Sequence, residues 1–331
     1  MDRPERIALR VGLGPGGEFD LIRRLVGGDE MLPQGVEVGP GDDAAVLEGG
    51  WVISTDLSIE DVHFRRSWMS DREVGYRAAA AALSDLAAMA AEPVGVLLSL
   101  GMPEHDVDIV EVQSGARDAV VAVGGAVLGG DLSRSPGPLL VDVVALGRTD
   151  RPLLRVGARV GDELWATGSL GAPAAAVALW NRGGAPATAL RGAFVRPRPR
   201  VAEARFLGEC DGVHALIDLS DGLAGDAGHL AAAGGVRVVL GAELVPVAEA
   251  AVGALGAEEA ASLALHGGED YELLLAARSG SFDPEAFAAR FGLPIRRVGR
   301  VEEGEGVWME ENGKTRRLER GGFSHVRGDD R

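Results

Sequence analysis

Ala215-Leu216-Ile217-Asp218-Leu219-Ser220-Asp221-Gly222-Leu223 is an apolar run that stops on acids and a glycine, with an alanine-rich stretch to Ala233 behind it. Its first five residues read as a buried strand, and the segment near Leu223 to Ala233 reads as a helix. Ser220 or Asp221 can cap that helix, because a short oxygen-bearing side chain satisfies the first unpaired N–H groups. Capping leaves Asp218 unexplained, since strand alternation puts it on the same face as Ser220. A strand that hands over to a helix through acids is the unit of mixed α/β folds, which hold ligands at strand ends.

The same alternation recurs on either side of this stretch. Ala44 to Leu47 and Trp51 to Thr55 read as strands, followed by a helix from about Asp71 to Ala91 that opens on a capping box of Ser70 and Glu73 and stops before Pro93. Val94 to Leu100, Ala126 to Leu128 and Leu139 to Leu146 read as strands, with a helix over Ile109 to Val123. Arg151 to Gly161 reads as a junction. Beyond it come a strand at Glu163 to Thr167, a glycine-bounded loop, an alanine-rich helix, strands at Val236 to Leu240 and Tyr271 to Ala276, and a hairpin turning on Asn312-Gly313. A chain of 331 residues is longer than one core ordinarily sustains. The expected fold is therefore mixed α/β (α+β) in two domains, residues 1–150 and 151–331. Gly12-Leu13-Gly14-Pro15-Gly16-Gly17 satisfies a bare dinucleotide-type spacing, but the strand-helix-strand unit that would support it is poorly formed. A flexible lead into a helix is the better reading.

A net charge of −17 repels phosphate backbones and argues against a nucleic-acid partner. The best basic patch, Arg196-Pro197-Arg198-Pro199-Arg200, lacks interleaved aromatics and reads first as a solvated turn or helix lead-in, second as a contact for a phosphorylated small molecule. Cys210 is the only cysteine, which excludes an internal disulfide and any cysteine-cluster metal site and favours a reducing compartment. Met1 to Arg6 lacks the pattern of a signal peptide, and no apolar run reaches membrane-spanning length, so the expectation is a cytoplasmic protein. Lys314 is the only lysine, and its Gly306…Gly313-Lys314-Thr315 surroundings are too widely spaced for a P-loop. If polyphosphate is handled, arginine and metal ions must supply the positive charge.

Several acids resist a surface reading. Asp42-Asp43 follows the Gly39-Pro40-Gly41 turn and precedes a strand, so only one of the two can face a cleft. Asp56 closes the Ser54-Thr55-Asp56 triplet at the end of an apolar run, a place for a ligand or for a turn. Asp85 lies in a helix with Ala81, Ala82, Ala88 and Met89 three and four residues away, so no base on its own helix can pair with it. Asp131 follows Gly129-Gly130, which permits close approach of the backbone to a ligand. Hard oxygen donors without histidine or cysteine clusters favour Mg²⁺ over zinc, and Mg²⁺ ordinarily completes its shell with water and phosphate oxygens. A shared Mg²⁺-polyphosphate site is the natural chemical reading of acids drawn from both halves.

Taken in order, Gly41-Asp42-Asp43-Ala44, Ser54-Thr55-Asp56 with His63-Phe64, Leu83-Ser84-Asp85-Leu86-Ala87-Ala88-Met89, Gly129-Gly130-Asp131, Ile217-Asp218-Leu219-Ser220-Asp221-Gly222-Leu223 and Gly267-Gly268-Glu269-Asp270-Tyr271-Glu272-Leu273 closely resemble the thiamine-monophosphate kinase family, of the superfamily that includes aminoimidazole ribonucleotide synthetase. The resemblance runs from about Gly17 to Phe323. It implies the two-domain fold of that superfamily, a homodimer formed through the N-terminal domain, and Mg²⁺-dependent transfer of a phosphoryl group from ATP to thiamine monophosphate. Carried onto matching positions, it implies that Asp43, Ser54, Thr55, Asp56, Asp85, Asp131, Asp218 and Asp221 take part in metal binding. Gln113, Gly130, Asp131, Arg155 and Ser220 would contact ATP, and His63, Glu269 and Phe323 the thiamine substrate. Asp61 and Ala90 stand where the family commonly has glycine, and Phe323 where it often has tryptophan. The rival readings are another ATP-using member of the superfamily, such as an aminoimidazole ribonucleotide synthetase-like enzyme, and a non-catalytic sensor of Mg-nucleotide.

Overall fold

The structure is a computed structural model that describes residues 11–12, 21–22, 24–25, 32–104 and 106–318. Most of the glycine-rich N-terminal motif and Phe323 lie outside the described residues.

The first half holds β1 (Val36–Val38), β2 (Ala45–Leu47), β3 (Trp51–Ile59), α1 (Asp71–Ala88), β4 (Glu92–Met102), α2 (Ile109–Ala122), β5 (Ala126–Arg134) and β6 (Leu140–Arg148). Its strands form one six-stranded sheet in the order β1-β2-β3-β6-β4-β5. β4 and β5 run parallel because α2 carries the chain back between them, whereas β3, β6 and β4 are antiparallel neighbours. Along β6, fully buried Val141, Val143 and Ala145 alternate with half-buried Leu140, Asp142, Val144 and Leu146, so one sheet face looks at the helices and the other away from them.

α1 begins on the expected capping box: the Ser70 hydroxyl accepts the Glu73 N–H, and the Glu73 carboxylate takes the Ser70 N–H at 2.9 Å. Such a cap contributes about 1 kcal/mol. α1 and α2 cross closely through glycines, since a Cβ on Gly75 would lie 1.7 Å from the Val112 carbonyl oxygen and one on Gly115 1.7 Å from that of Arg72. α1 stops at Ala88 rather than Ala91, because Ala90 turns into the left-handed region with φ +53°, and Pro93 sits within β4.

The second half holds β7 (Glu163–Thr167), α3 (Ala172–Asn181), α4 (Thr188–Val195), α5 (Val201–Gly208), β8 (Val213–Leu219), α6 (Leu223–Gly234), β9 (Arg237–Gly241), α7 (Glu249–Leu255), α8 (Ala257–His266), β10 (Glu272–Ala277), α9 (Pro284–Phe291), β11 (Ile295–Glu302), β12 (Gly306–Glu311) and β13 (Lys314–Arg317). Its seven-stranded sheet runs β13-β12-β9-β11-β7-β10-β8. Asn312 and Gly313, at φ +51° and +72°, make the hairpin turn between β12 and β13, and Lys314 is the first residue of a strand. β11, a strand inside this sheet, is masked in the sequence by its arginines and by a bulge between Arg297 and Gly299.

The two halves share a core. Ala175, Ala176, Leu190, Phe194 and Val195 from α3 and α4 join the cluster built around α1 and the first sheet. α1 is thus covered on both sides, and small alanine side chains let both layers approach it. The sequence places Asp56 and Asp131 at strand ends, and the structure corrects this: β3 continues to Ile59 and β5 to Arg134, so both acids lie inside strands. Among the described residues, no helix is long and apolar enough to cross a membrane.

Candidate active site

Where β3, α1 and β8 meet, hydroxyl groups tie acids from both halves together. Ser54 Oγ on β3 donates to Asp85 Oδ2 at 2.5 Å and lies 3.1 Å from the Asp43 carbonyl oxygen. Ser84 Oγ on α1 donates to Asp218 Oδ2 on β8 at 2.7 Å. One carboxylate oxygen from each of Asp43, Asp85 and Asp218 lies within 4.8 Å of the others. Burial pushes the Asp218 pKa up to about 7, with the Asp43 charge adding to it. Burial likewise holds Asp85 well above the usual carboxylate range, and Asp218, Asp56 and Asp43 reinforce the rise. Arg155 is the counterweight, its Nη2 and Nε donating to the two Asp43 oxygens at 2.6 and 3.1 Å.

Asp42 does the work of the turn. Its carboxylate accepts the Asp43 N–H at 3.0 Å and the Arg155 N–H at 3.1 Å, while burial and the neighbouring Asp43 push its pKa up to about 7. One guanidinium among so many carboxylates leaves the group short of positive charge. An all-oxygen donor set in that condition fits Mg²⁺, which would relieve the repulsion that adds to the effect of burial on these pKa values.

A second group comprises Asp221, Asp226 and His229, again with ligand atoms within 4.8 Å. Buried Asp226 accepts the Asp221 N–H at 3.1 Å, and burial together with Asp221 raises its pKa well above the ordinary value. Sequence reading singles out Asp221 alone. The signal for the other two is the three-residue spacing of Asp226 and His229, which puts both on one face of α6.

Beside these groups lies a cavity of about 710 Å³ whose lining includes Asp56, His63, Arg77, Ser220, Asp221, Glu269 and Tyr271, with Phe64, Trp68 and Phe194 as its aromatic wall. Trp68 stacks on Trp180 at a centroid distance of 4.9 Å, and Phe194 meets both edge-on. His63 Nδ1 accepts the Ile59 N–H at 3.0 Å, which leaves the ring proton on Nε2. The Glu269 carboxylate takes the Tyr271 hydroxyl at 2.8 Å and pairs with Arg77, whose role the sequence reading misses. Burial, then the Glu269 charge, holds the Tyr271 phenol well above its usual range.

Four expected site residues stand apart from this assembly. The Thr55 hydroxyl donates to Asp142 Oδ1 at 2.9 Å, as strand alternation requires, so it parts from Ser54 and Asp56 although Thr55 borders the cavity. Gly130 and Asp131 are exposed on β5, and Gln113 is exposed on α2; none of the three lines the cavity. Gly130 has a packing reason of its own, since a Cβ there would lie 1.8 Å from the Leu98 carbonyl oxygen on β4.

Residues 41–149 match the family described as AIR synthase related protein, N-terminal domain, and residues 159–309 match AIR synthase related protein, C-terminal domain. Fold and acid cluster together thus define a two-domain protein of the AIR synthase-related class. A thiamine-monophosphate kinase of Rhodopirellula baltica is 35% identical over 332 residues, covering 93% of this chain and 97% of that relative. One of Mycobacterium tuberculosis is 36% identical over 269 residues, covering 78% of this chain and 80% of its own. The solved structure of AaThiL complexed with AMPPCP and TMP aligns with a TM-score of 0.80 at 31% identity, over 95% of this chain and 97% of that one. Within the AIR synthase-related class, the chain belongs to the thiamine-monophosphate kinase family.

Proposed function

We propose that the protein transfers the γ-phosphoryl group of ATP to thiamine monophosphate, giving thiamine diphosphate and ADP in thiamine diphosphate biosynthesis. The observation that carries this reading is the buried Asp43-Asp85-Asp218 cluster, drawn from both halves, beside an aromatic-walled cavity of about 710 Å³. Bound AMPPCP and TMP in the AaThiL structure support ATP and thiamine monophosphate as the two ligands.

In this mechanism a phosphate oxygen of thiamine monophosphate attacks the γ-phosphorus in line. A P–O bond forms as the β,γ-bridging bond breaks, and ADP leaves. The acceptor oxygen is already ionised near neutral pH, so no general base is needed and no phosphoenzyme forms. Asp43, Ser54, Asp56, Asp85, Asp218 and Asp221 would hold Mg²⁺, with Thr55 and Asp131 added by motif position, and the bound ion would supply charge neutralisation between the two polyanions. Arg155 and Ser220 hold ATP. Gly130, Asp131 and Gln113, which lie outside the cavity, are assigned to ATP and metal by their motif positions alone. His63 Nε2–H suits a phosphate oxygen, Glu269 reads the organic part of the substrate, and Phe323 is assigned by motif position.

The residue 1–150 domain is assigned ATP and Mg²⁺ binding and dimerisation, and residues 151–331 complete the cleft. Exposed Leu57, Val94, Leu97, Leu128 and Leu132 on the first sheet support a homodimer through that sheet. The setting is proposed to be the cytoplasm. A coupled ADP-release assay with thiamine monophosphate, thiamine and formylglycinamidine ribonucleotide tests the activity. ADP release with thiamine monophosphate alone is expected. Release with the ribonucleotide instead would move the protein to the aminoimidazole ribonucleotide synthetase-like enzymes, and ATP binding without release would make it a sensor.

A further inference from the structure

Arg77 on α1 is only 4% exposed, a buried cation followed directly by the apolar run Ala78 to Leu83. Its Nη1 donates to the Phe194 carbonyl oxygen at 2.7 Å, its guanidinium carbon lies 3.9 Å from the Phe194 ring centroid, and its Nη2 donates to Glu269 Oε2. The Tyr271 hydroxyl donates to the same Oε2 at 2.8 Å. Both donors thus converge on one oxygen of Glu269, and Oε1 accepts no hydrogen bond from the described residues.

The backbone that presents this carboxylate is strained. Glu269 and Tyr271 have φ of +68° and +49°, a region in which a residue with a side chain costs about 1–2 kcal/mol. Three hydrogen bonds hold the turn against relaxation: Glu269 N–H to the Ser220 carbonyl at 2.8 Å, Tyr271 N–H to the Leu219 carbonyl at 2.8 Å, and Gly171 N–H to Asp270 Oδ1 at 2.8 Å. A turn held in a sparsely populated conformation beside a cavity implies that the direction of its side chain matters.

We propose that Arg77 and Tyr271 are positioning residues for substrate specificity: they fix Glu269 and compensate its charge, so that Oε1 recognises an N–H donor on the ligand rather than acting as counter-ion to a cation. The inference rests on the substrate proposed above. The only N–H donor of thiamine monophosphate is the exocyclic amino group of its pyrimidine, so that group is the one Oε1 selects. A bare carboxylate would draw in any cationic ligand, the thiazolium included, whatever its pyrimidine carried. A carboxylate already paired with a guanidinium and bonded to a phenol discriminates by hydrogen-bond geometry instead, and it rejects a carbonyl placed where the amine belongs.

The test compares thiamine monophosphate with its analogue bearing a ring carbonyl in place of the amino group. ADP release is followed for the wild type and for Tyr271→Phe, Arg77→Lys and Arg77→Gln, each checked for folding by circular dichroism. The amino-over-oxo preference in kcat/KM is expected to fall about tenfold in Tyr271→Phe and further in Arg77→Gln. Arg77→Lys restores part of it, because charge is kept while the planar fork is lost. An unchanged preference in folded Tyr271→Phe overturns the proposal even if Arg77→Gln fails to fold. A wild type inert toward both substrates overturns the kinase reading itself, and the specificity assignment with it.

Discussion

Asp218 is 3% exposed, accepts the Ser84 hydroxyl at 2.7 Å, and has its pKa pushed from 3.8 up to about 7 by burial and by Asp43. An aspartate whose folded pKa lies above its unfolded value favours the folded state while protonated, and that advantage is lost as pH rises through the folded pKa. Asparagine does not titrate and keeps an oxygen to accept from Ser84. Metal-free Asp218→Asn is therefore expected to be more stable than the metal-free wild type at pH 8. A rise of about three units corresponds to a gap of at most about 4 kcal/mol at pH 8, narrowing to less than about 2 kcal/mol at pH 5. Urea unfolding in chelator at the two pH values measures the gap directly. The same series with added Mg²⁺ is expected to reverse the order, because the wild type gains a ligand interaction that the amide weakens. A variant no more stable than wild type at pH 8 in chelator, or a gap that fails to narrow at pH 5, would refute the view that these carboxylates are held together at a cost.

Asp56→Asn and Asp131→Asn are each expected to lower turnover by about a hundredfold or more while leaving the far-ultraviolet spectrum intact. Near-normal turnover of both at saturating Mg²⁺ would remove the metal assignments. Asp43→Asn is expected to raise the Mg²⁺ concentration needed for half-maximal rate more than Asp42→Asn does, since Asp42 is occupied by the Asp43 and Arg155 N–H groups; equal effects would undo that division of labour. Ala90 holds a left-handed conformation at φ +53°, so Ala90→Gly is expected to stabilise the fold by about 1 kcal/mol in urea unfolding. No gain would mean that the alanine's contacts outweigh the strain.

Much of this was legible in the sequence because the relevant signals are local. The Ser70 and Glu73 capping box, the Asn312-Gly313 hairpin and the isolation of Asp85 on an alanine helix each depend on residues within a turn or two. Asp61 and Ala90, which stand where the family commonly has glycine, have φ of +65° and +53°, so glycine at those positions answers a backbone need. What was not legible is set by long-range contact. Nothing in the spacing shows that Ser84 reaches Asp218, 134 residues away, or that Arg77 reaches Glu269, 192 residues away. Arg77 carries a faint trace of its role, as a cation two helical turns before Asp85 and separated from it by apolar residues and Ser84 alone. The Ser54-Thr55-Asp56 triplet reads as one group of oxygen-bearing side chains, whereas the pleat sends the Thr55 hydroxyl to the other face.

The proposed mechanism is direct transfer between two polyanions held across one buried carboxylate cluster. A single-turnover quench with ATP labelled in its γ-phosphate, thiamine monophosphate and Mg²⁺ tests that claim most directly. The label is expected in the terminal phosphate of thiamine diphosphate at the rate ADP appears, with none bound to acid-precipitated protein. Label released as inorganic phosphate, or carried on the protein before it reaches thiamine diphosphate, would contradict it.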